Sequence, residues 1–82
     1  MIKIGIIKKL LKDVEYNLQI LNEAKDSLIS ETEPNISIIG STFEDKLSVV
    51  LSAIYVIDKV NNNNISEGDA FRLLANAVRN II

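Results

Sequence analysis

Oxygen-bearing side chains follow one another closely over residues 58–69, between two segments with helical periodicity. Calcium binds six to eight oxygen ligands from carboxylates, amides, hydroxyls and carbonyls, so this spacing is the chain's best candidate for metal chemistry. The candidate ligands are Asp58, Asn62, Asn64 through its carbonyl, Ser66 and Asp69. The chain has no Cys and no His, which excludes the usual zinc, haem and iron–sulfur ligand sets and any Ser–His–Asp triad.

This segment resembles an EF-hand loop, with Asp58 first, Asn62 fifth, Ser66 ninth and an acidic residue twelfth. It departs from that family at the third position, which is Val60, and at the sixth, where Asn63 replaces the usual glycine. The twelfth residue is Asp where the family has a bidentate Glu. Ser66 and Asp69 are also expected as a helix N-cap without calcium. We therefore expect no bound metal and no cofactor.

No catalytic residue can be nominated from the sequence. The acidic residues are scattered over polar helix faces, and no pair is placed in an apolar cleft that would shift a pKa. The residues considered are Glu15, Glu23, Asp26, Glu44 and Asp45. The three glycines stand alone and form no phosphate-binding loop. We expect a protein that is not an enzyme.

The first twelve residues are basic and apolar, with Lys3, Lys8, Lys9 and Lys12 and no acidic residue. Such a composition suits a helix lying on an anionic membrane surface. With the predicted α-hairpin near the C-terminus, the chain loosely resembles bacteriocin immunity proteins, which are small helical bundles; it is shorter and acidic. The resemblance implies a membrane-surface role as the alternative function. A core-packing helix with a solvated lysine edge is the favoured interpretation. The lysines interrupt any signal-peptide core, so we expect a cytoplasmic protein.

Arg72, Asn76 and Arg79 share one face of the last predicted helix, and Arg and Asn are residues that read base edges. The net charge is −2, whereas phosphate neutralisation supplies most of the affinity for nucleic acid. We expect no nucleic-acid binding.

Apolar residues recur at alternating three- and four-residue steps over residues 4–30, which predicts one long helix. Pro34 disfavours the α conformation of the residue before it, so this helix should end by about Thr32. The linker that follows is unusual because it contains Ile36, Ile38 and Ile39, which we expect to pack into the core or against a partner.

A second helix should begin with Ser41 or Thr42 as N-cap, with Glu44 completing a capping box with Ser41. Its apolar residues cover more than half of the circumference, which is typical of a helix buried on two sides. The predicted polar strip is Asp45, Ser48, Ser52, Tyr55 and Lys59. The Asn61–Asn64 run should form a turn, because asparagine tolerates left-handed backbone angles, and a third helix should start at Ser66.

The sequence thus predicts a single all-α domain over residues 1–82, a small three-helix bundle made of a long N-terminal helix and a C-terminal α-hairpin. Three helices this apolar leave surface to cover, so we expect a homodimer, with a compact monomer as the alternative. The favoured function is a non-catalytic interaction module that self-associates or binds one protein partner. The expected interface residues are Ile36, Ile38, Ile39, Leu47, Val50, Leu51 and Ile54.

Overall fold

A computed structural model describes the backbone of residues 4–81 and the side chains of residues 4–77. This part of the chain is all-helical, as predicted, and contains no strand. It has four helices: α1 (Ile4–Asp13), α2 (Leu18–Ile29), α3 (Phe43–Asn62) and α4 (Glu67–Ile81). The prediction of three helices is therefore wrong in its N-terminal third, where two helices replace one.

The break between α1 and α2 is a helix C-cap followed directly by a helix N-cap. Glu15 N–H donates to the carbonyl of Lys12 at 3.1 Å, and Tyr16 N–H donates to the carbonyl of Leu11 at 2.9 Å. These two bonds form a Schellman motif, which requires a left-handed residue after the helix. Both Glu15 and Tyr16 are left-handed, with φ of 53° and 58°. The Asn17 side chain then caps α2 by accepting from Ile20 N–H at 3.2 Å.

Helix α2 ends where the sequence predicts, before Pro34, and by the same device. Thr32 N–H donates to the carbonyl of Ser27 at 2.9 Å, and Glu31 between them is left-handed, with φ of 57°. The Thr32 hydroxyl donates to the same Ser27 carbonyl at 2.9 Å. The side chain and backbone of Thr32 thus satisfy one carbonyl that the helix end leaves free.

Helix α3 is the centre of the fold, as predicted, because it packs against α1, α2 and α4. Its N-cap is Thr42, whose hydroxyl accepts from Asp45 N–H at 3.1 Å, so the expected capping box with Ser41 lies one residue too early. The turn to α4 is shorter than the predicted Asn61–Asn64, because Asn61 and Asn62 belong to α3. Asn64 is left-handed with φ of 56°, and the Ser66 hydroxyl accepts from Asp69 N–H at 3.2 Å, so α4 begins where predicted.

The core forms around α3 and includes one residue of the linker. Each helix buries residues three, four or seven apart, and the linker contributes Ile38. Gly40 lies so close to the first turn of α3 that a Cβ there would be 3.0 Å from the Lys46 backbone nitrogen. Lys46 also pairs with Glu33 across the linker, at 3.7 Å. The buried core comprises Ile7, Leu10, Leu11, Val14, Leu21, Ala24, Leu28, Ile38, Val49, Val50, Ala53, Val56, Ile57, Ala70, Phe71 and Leu74.

Candidate interaction surface

The seven residues expected at an interface fall into three groups in the structure. Val50 and Ile38 are buried within the chain, so their side chains already have partners in the core. Three others are half-buried at the edge of the core: Ile36, Leu47 and Ile54. Leu51 and Ile39 are exposed, by 46% and 51%. Only these last two offer a large apolar surface to another molecule.

Leu51 and its neighbour Ser52 each lie in the environment opposite to the one that their side chain favours. Leu51 is 46% exposed, whereas Ser52 is 4% exposed and was expected on the polar strip. The Ser52 hydroxyl donates to the carbonyl of Ser48 at 2.8 Å, so its burial leaves no polar atom without a partner. Ser52 lies next to Ala53, which is fully buried, and two small side chains let a neighbouring helix approach closely. The packing of three helices on α3 therefore turns Leu51 outward.

Leu51 is the centre of an apolar patch on the outer face of α3. Residues three and four positions away are its neighbours on a helix surface. The apolar ones are Leu47, Ile54 and Tyr55, all half-buried. We call these four residues the Leu51 patch. The sequence pattern placed Tyr55 on the polar strip, although its i+4 spacing from Leu51 could have shown that the two meet.

Lys59 lies at one end of the Leu51 patch, with its Nζ 5.3 Å from the centre of the Tyr55 ring. The exposed acidic residues of the first turn, Glu44 and Asp45, lie toward the other end of the helix. The patch is thus apolar in the middle and charged at its ends, the arrangement of an interface core with a polar rim.

The candidate calcium ligands do not form an EF-hand loop. Helix α3 continues through Asn62, so the first five residues of the twelve are helical. Within that helix Asn62 donates a side-chain hydrogen bond to Asp58. Ser66 caps α4, and Asp69 pairs with Arg72 at 3.4 Å. Within residues 4–81, no group of three or more carboxylates is placed to hold a metal ion.

The basic N-terminal segment is a packed helix with its lysines at the edge. Ile7, Leu10 and Leu11 are buried, so the apolar face of α1 is covered by the protein itself. Lys8 Nζ lies 5.4 Å from the centre of the Phe71 ring of α4, and Lys9 pairs with Asp13 at 3.0 Å. Lys12 is exposed, and Lys3 lies outside the described residues.

The remaining polar candidates are not brought together by the fold. All five carboxylates considered for acid–base chemistry are exposed: Glu15, Glu23, Asp26, Glu44 and Asp45. On α4, Arg72 and Asn76 are exposed, and the side chain of Arg79 lies outside the described residues.

Comparison with known proteins identifies a family. A protein-family model described as a family of unknown function, DUF6952, matches residues 2–82. The chain belongs to this family. No curated protein and no solved structure matches the chain. For this DUF6952 member, none of the helices within residues 4–81 combines the length and apolar character needed to cross a bilayer.

Proposed function

We propose that this DUF6952 protein is a non-catalytic, cytoplasmic interaction module that self-associates through the Leu51 patch. The supporting observation is that Ser52 is buried whereas the adjacent Leu51 is exposed. This orientation places apolar surface on the outside of the central helix. The occupant is a second copy of the chain. In a dimer with a two-fold axis, the patch of one copy contacts the same patch of the other copy. Each patch residue therefore contributes to the interface twice.

The expected contribution of Leu51 can be estimated from its exposure. Full burial of a leucine side chain contributes about 1.5–3 kcal/mol. Since 46% of Leu51 is exposed in the single chain, its burial in the dimer should contribute about 1 kcal/mol of association free energy per copy. A symmetric dimer would gain about 2 kcal/mol. Loss of this contact should weaken dimerisation about 30-fold.

The experiment compares Leu51→Ser with Leu73→Ser by light scattering on a sizing column over a wide concentration range. Leu73 is a matched control because it is 39% exposed but lies on α4. We expect the wild type and Leu73→Ser to assemble to at least twice the 9.1 kDa chain mass, and the contact through the Leu51 patch to dissociate in Leu51→Ser at about 30-fold higher concentration. A Leu51→Ser protein that dimerises as tightly as the wild type would contradict the proposal. Val50 is unsuitable for this test because its substitution would disturb the core.

Membrane-surface binding by the basic N-terminal segment is the alternative, and the packing of α1 does not favour it. An interfacial helix inserts its apolar face among lipids, whereas Ile7, Leu10 and Leu11 are buried in the protein. Flotation with vesicles containing anionic lipid separates the two functions. We expect the protein to stay with the aqueous fraction; flotation that depends on Lys8, Lys9 and Lys12 would favour the alternative.

A further inference from the structure

The break between α1 and α2 lies in the middle of a continuous apolar seam. Apolar residues recur every three or four positions from α1 through α2, as in a single helix, and the pattern does not change phase at the break. Val14 is buried there, but Leu18, the next residue of the seam, is 39% exposed. The sequence pattern thus supports a straight helix, whereas the chain turns and leaves part of the seam uncovered.

The turn itself is strained at two consecutive residues. Glu15 and Tyr16 both have left-handed backbone angles, which glycine adopts freely and residues with a Cβ adopt at a cost. The Schellman bonds and the Asn17 cap hold this conformation. A short, strained connection between two packed elements is a feature that favours exchange of an element between copies.

A straightened helix would not fit on its own body. The residues from the start of α1 to the end of α2 would span about 39 Å as one helix, whereas the longest extent of the structure is 32 Å. In that form α1 would project beyond the molecule and expose Ile7, Leu10 and Leu11, and the site that α1 leaves on α3 would be open. A second copy in the same form offers both the vacant site and the matching helix.

We propose that two copies of this protein exchange α1, with α1 and α2 joining into one continuous helix in each copy. Residues 14–17 are the hinge. In the exchanged dimer the contacts of α1 with α3 and α4 are the same as those in the structure, but they form between chains. The relief of strain at the two hinges favours the exchange. The proposal is independent of the Leu51 patch, because none of the four patch residues lies in α1 or in the hinge.

Hinge variants should shift the dimer in opposite directions. We call the structure described above the closed form. Glu15→Gly removes the cost of a left-handed residue in the closed form and destabilises a continuous helix. Each hinge should therefore lower the equilibrium constant for exchange at least about fivefold. Asn17→Ala removes the α2 cap, which only the closed form uses, and favours exchange about fivefold per hinge. With two hinges in each dimer, we expect the dimer dissociation constant to rise at least about 25-fold in the first variant and to fall about 25-fold in the second.

Thr42→Ala is the matched control, because it removes the same kind of cap from α3, which does not take part in the hinge. It should lower stability as Asn17→Ala does, with no change in the dissociation constant. Sizing with light scattering measures all three variants, and circular dichroism confirms that each is folded. Equal dissociation constants for Glu15→Gly and Asn17→Ala would overturn the proposal, as would a dissociation constant for Thr42→Ala that falls as far as that for Asn17→Ala.

A second measurement distinguishes exchange from association through the Leu51 patch. Equal amounts of ¹³C-labelled and unlabelled protein are unfolded together, refolded and concentrated. In the exchanged dimer, the Lys8 side chain of one copy lies over the Phe71 ring of the other, so an isotope-filtered NOE between them is expected. A dimer that shows this NOE only within one chain would refute the exchange. That result would not bear on the proposal of association through the Leu51 patch. Loss of dimer in Leu51→Ser alone has no bearing on this contact.

Discussion

Gly40→Ala tests whether the linker's close approach to α3 holds the fold together. The backbone at Gly40 is not left-handed, so the need for glycine is one of space. An added Cβ would lie 2.9 Å from Lys46 Cγ, 3.2 Å from Asp45 Cβ and 3.0 Å from the Lys46 backbone nitrogen. The Lys46 side chain can turn aside, but its backbone nitrogen already donates to the Thr42 carbonyl at 3.1 Å, in the first turn of α3.

Relief of this overlap requires either the linker or the first turn of α3 to move. Insertion of a methyl group into a tight contact costs about 1–3 kcal/mol. For a domain of this size, 1 kcal/mol corresponds to about 4–8 °C in Tm, so Gly40→Ala should lower the Tm by about 4–24 °C. Urea unfolding followed by circular dichroism should show a lower midpoint with an unchanged slope.

Gly5→Ala is the matched control for Gly40→Ala. Gly5 lies in α1, and no atom is within 4 Å of a Cβ built there. Alanine is favoured over glycine in a helix by about 0.5–1 kcal/mol, so this variant should be as stable as the wild type or more stable. The two identical chemical changes should thus have opposite signs. If Gly40→Ala were as stable as the wild type, the contact between the linker and α3 would not have the importance assigned to it.

Three further predictions follow from particular contacts. Ser52→Ala should leave the free energy of unfolding within about 0.5 kcal/mol of the wild type, since the lost hydroxyl bonds only within its own helix; a loss above about 2 kcal/mol in urea unfolding would contradict this. Glu31→Gly should raise that free energy by about 1 kcal/mol, and Asn64→Gly by less, because asparagine tolerates the left-handed conformation that both residues adopt. Millimolar calcium should leave the Tm unchanged and give no binding heat in titration calorimetry, since α3 remains helical through Asn62.

The sequence predicted those parts of the fold that depend on local signals. The N-cap at Ser66 was predicted directly, and the asparagine run was expected to adopt left-handed angles, which the structure shows at Asn64. In both places one residue type satisfies one backbone need. The central place of α3 followed from the width of its apolar surface. That signal is strong because a helix with so little polar surface must be covered on several sides.

The break after α1 could not be predicted from side-chain periodicity. Val14 and Leu21 are buried on either side of the break, so the apolar pattern passes through it without interruption. Glu15 and Tyr16 are not residues that favour left-handed angles, and the only local signal is Asn17, a good N-cap. Tertiary packing of α1 on α3 and α4 therefore decides the conformation here, against the local preference.

The exposure of Leu51 could not be predicted from the sequence for a related reason. The apolar residues of α3 cover so much of its circumference that periodicity does not specify which edge faces solvent. That choice depends on how three helices share the surface of α3, and the small pair Ser52 and Ala53 lies on the covered side. The expected interface list therefore joined residues of the core, such as Val50, to residues of the surface, such as Leu51.

Two of the places where the chain departs from local preference have a feature in common. A glycine at position 15 would remove strain, and an exchange of Leu51 with Ser52 would restore the usual burial, yet the chain has neither. Such departures are expected where function, rather than stability, determines the residue. In the two proposals made above, the first place is a hinge and the second is an apolar contact surface. Each proposal accounts for its departure by contact with a second copy, and the two use separate surfaces of the chain. The proposed function and the proposed helix exchange of this DUF6952 protein therefore both concern how its copies would assemble.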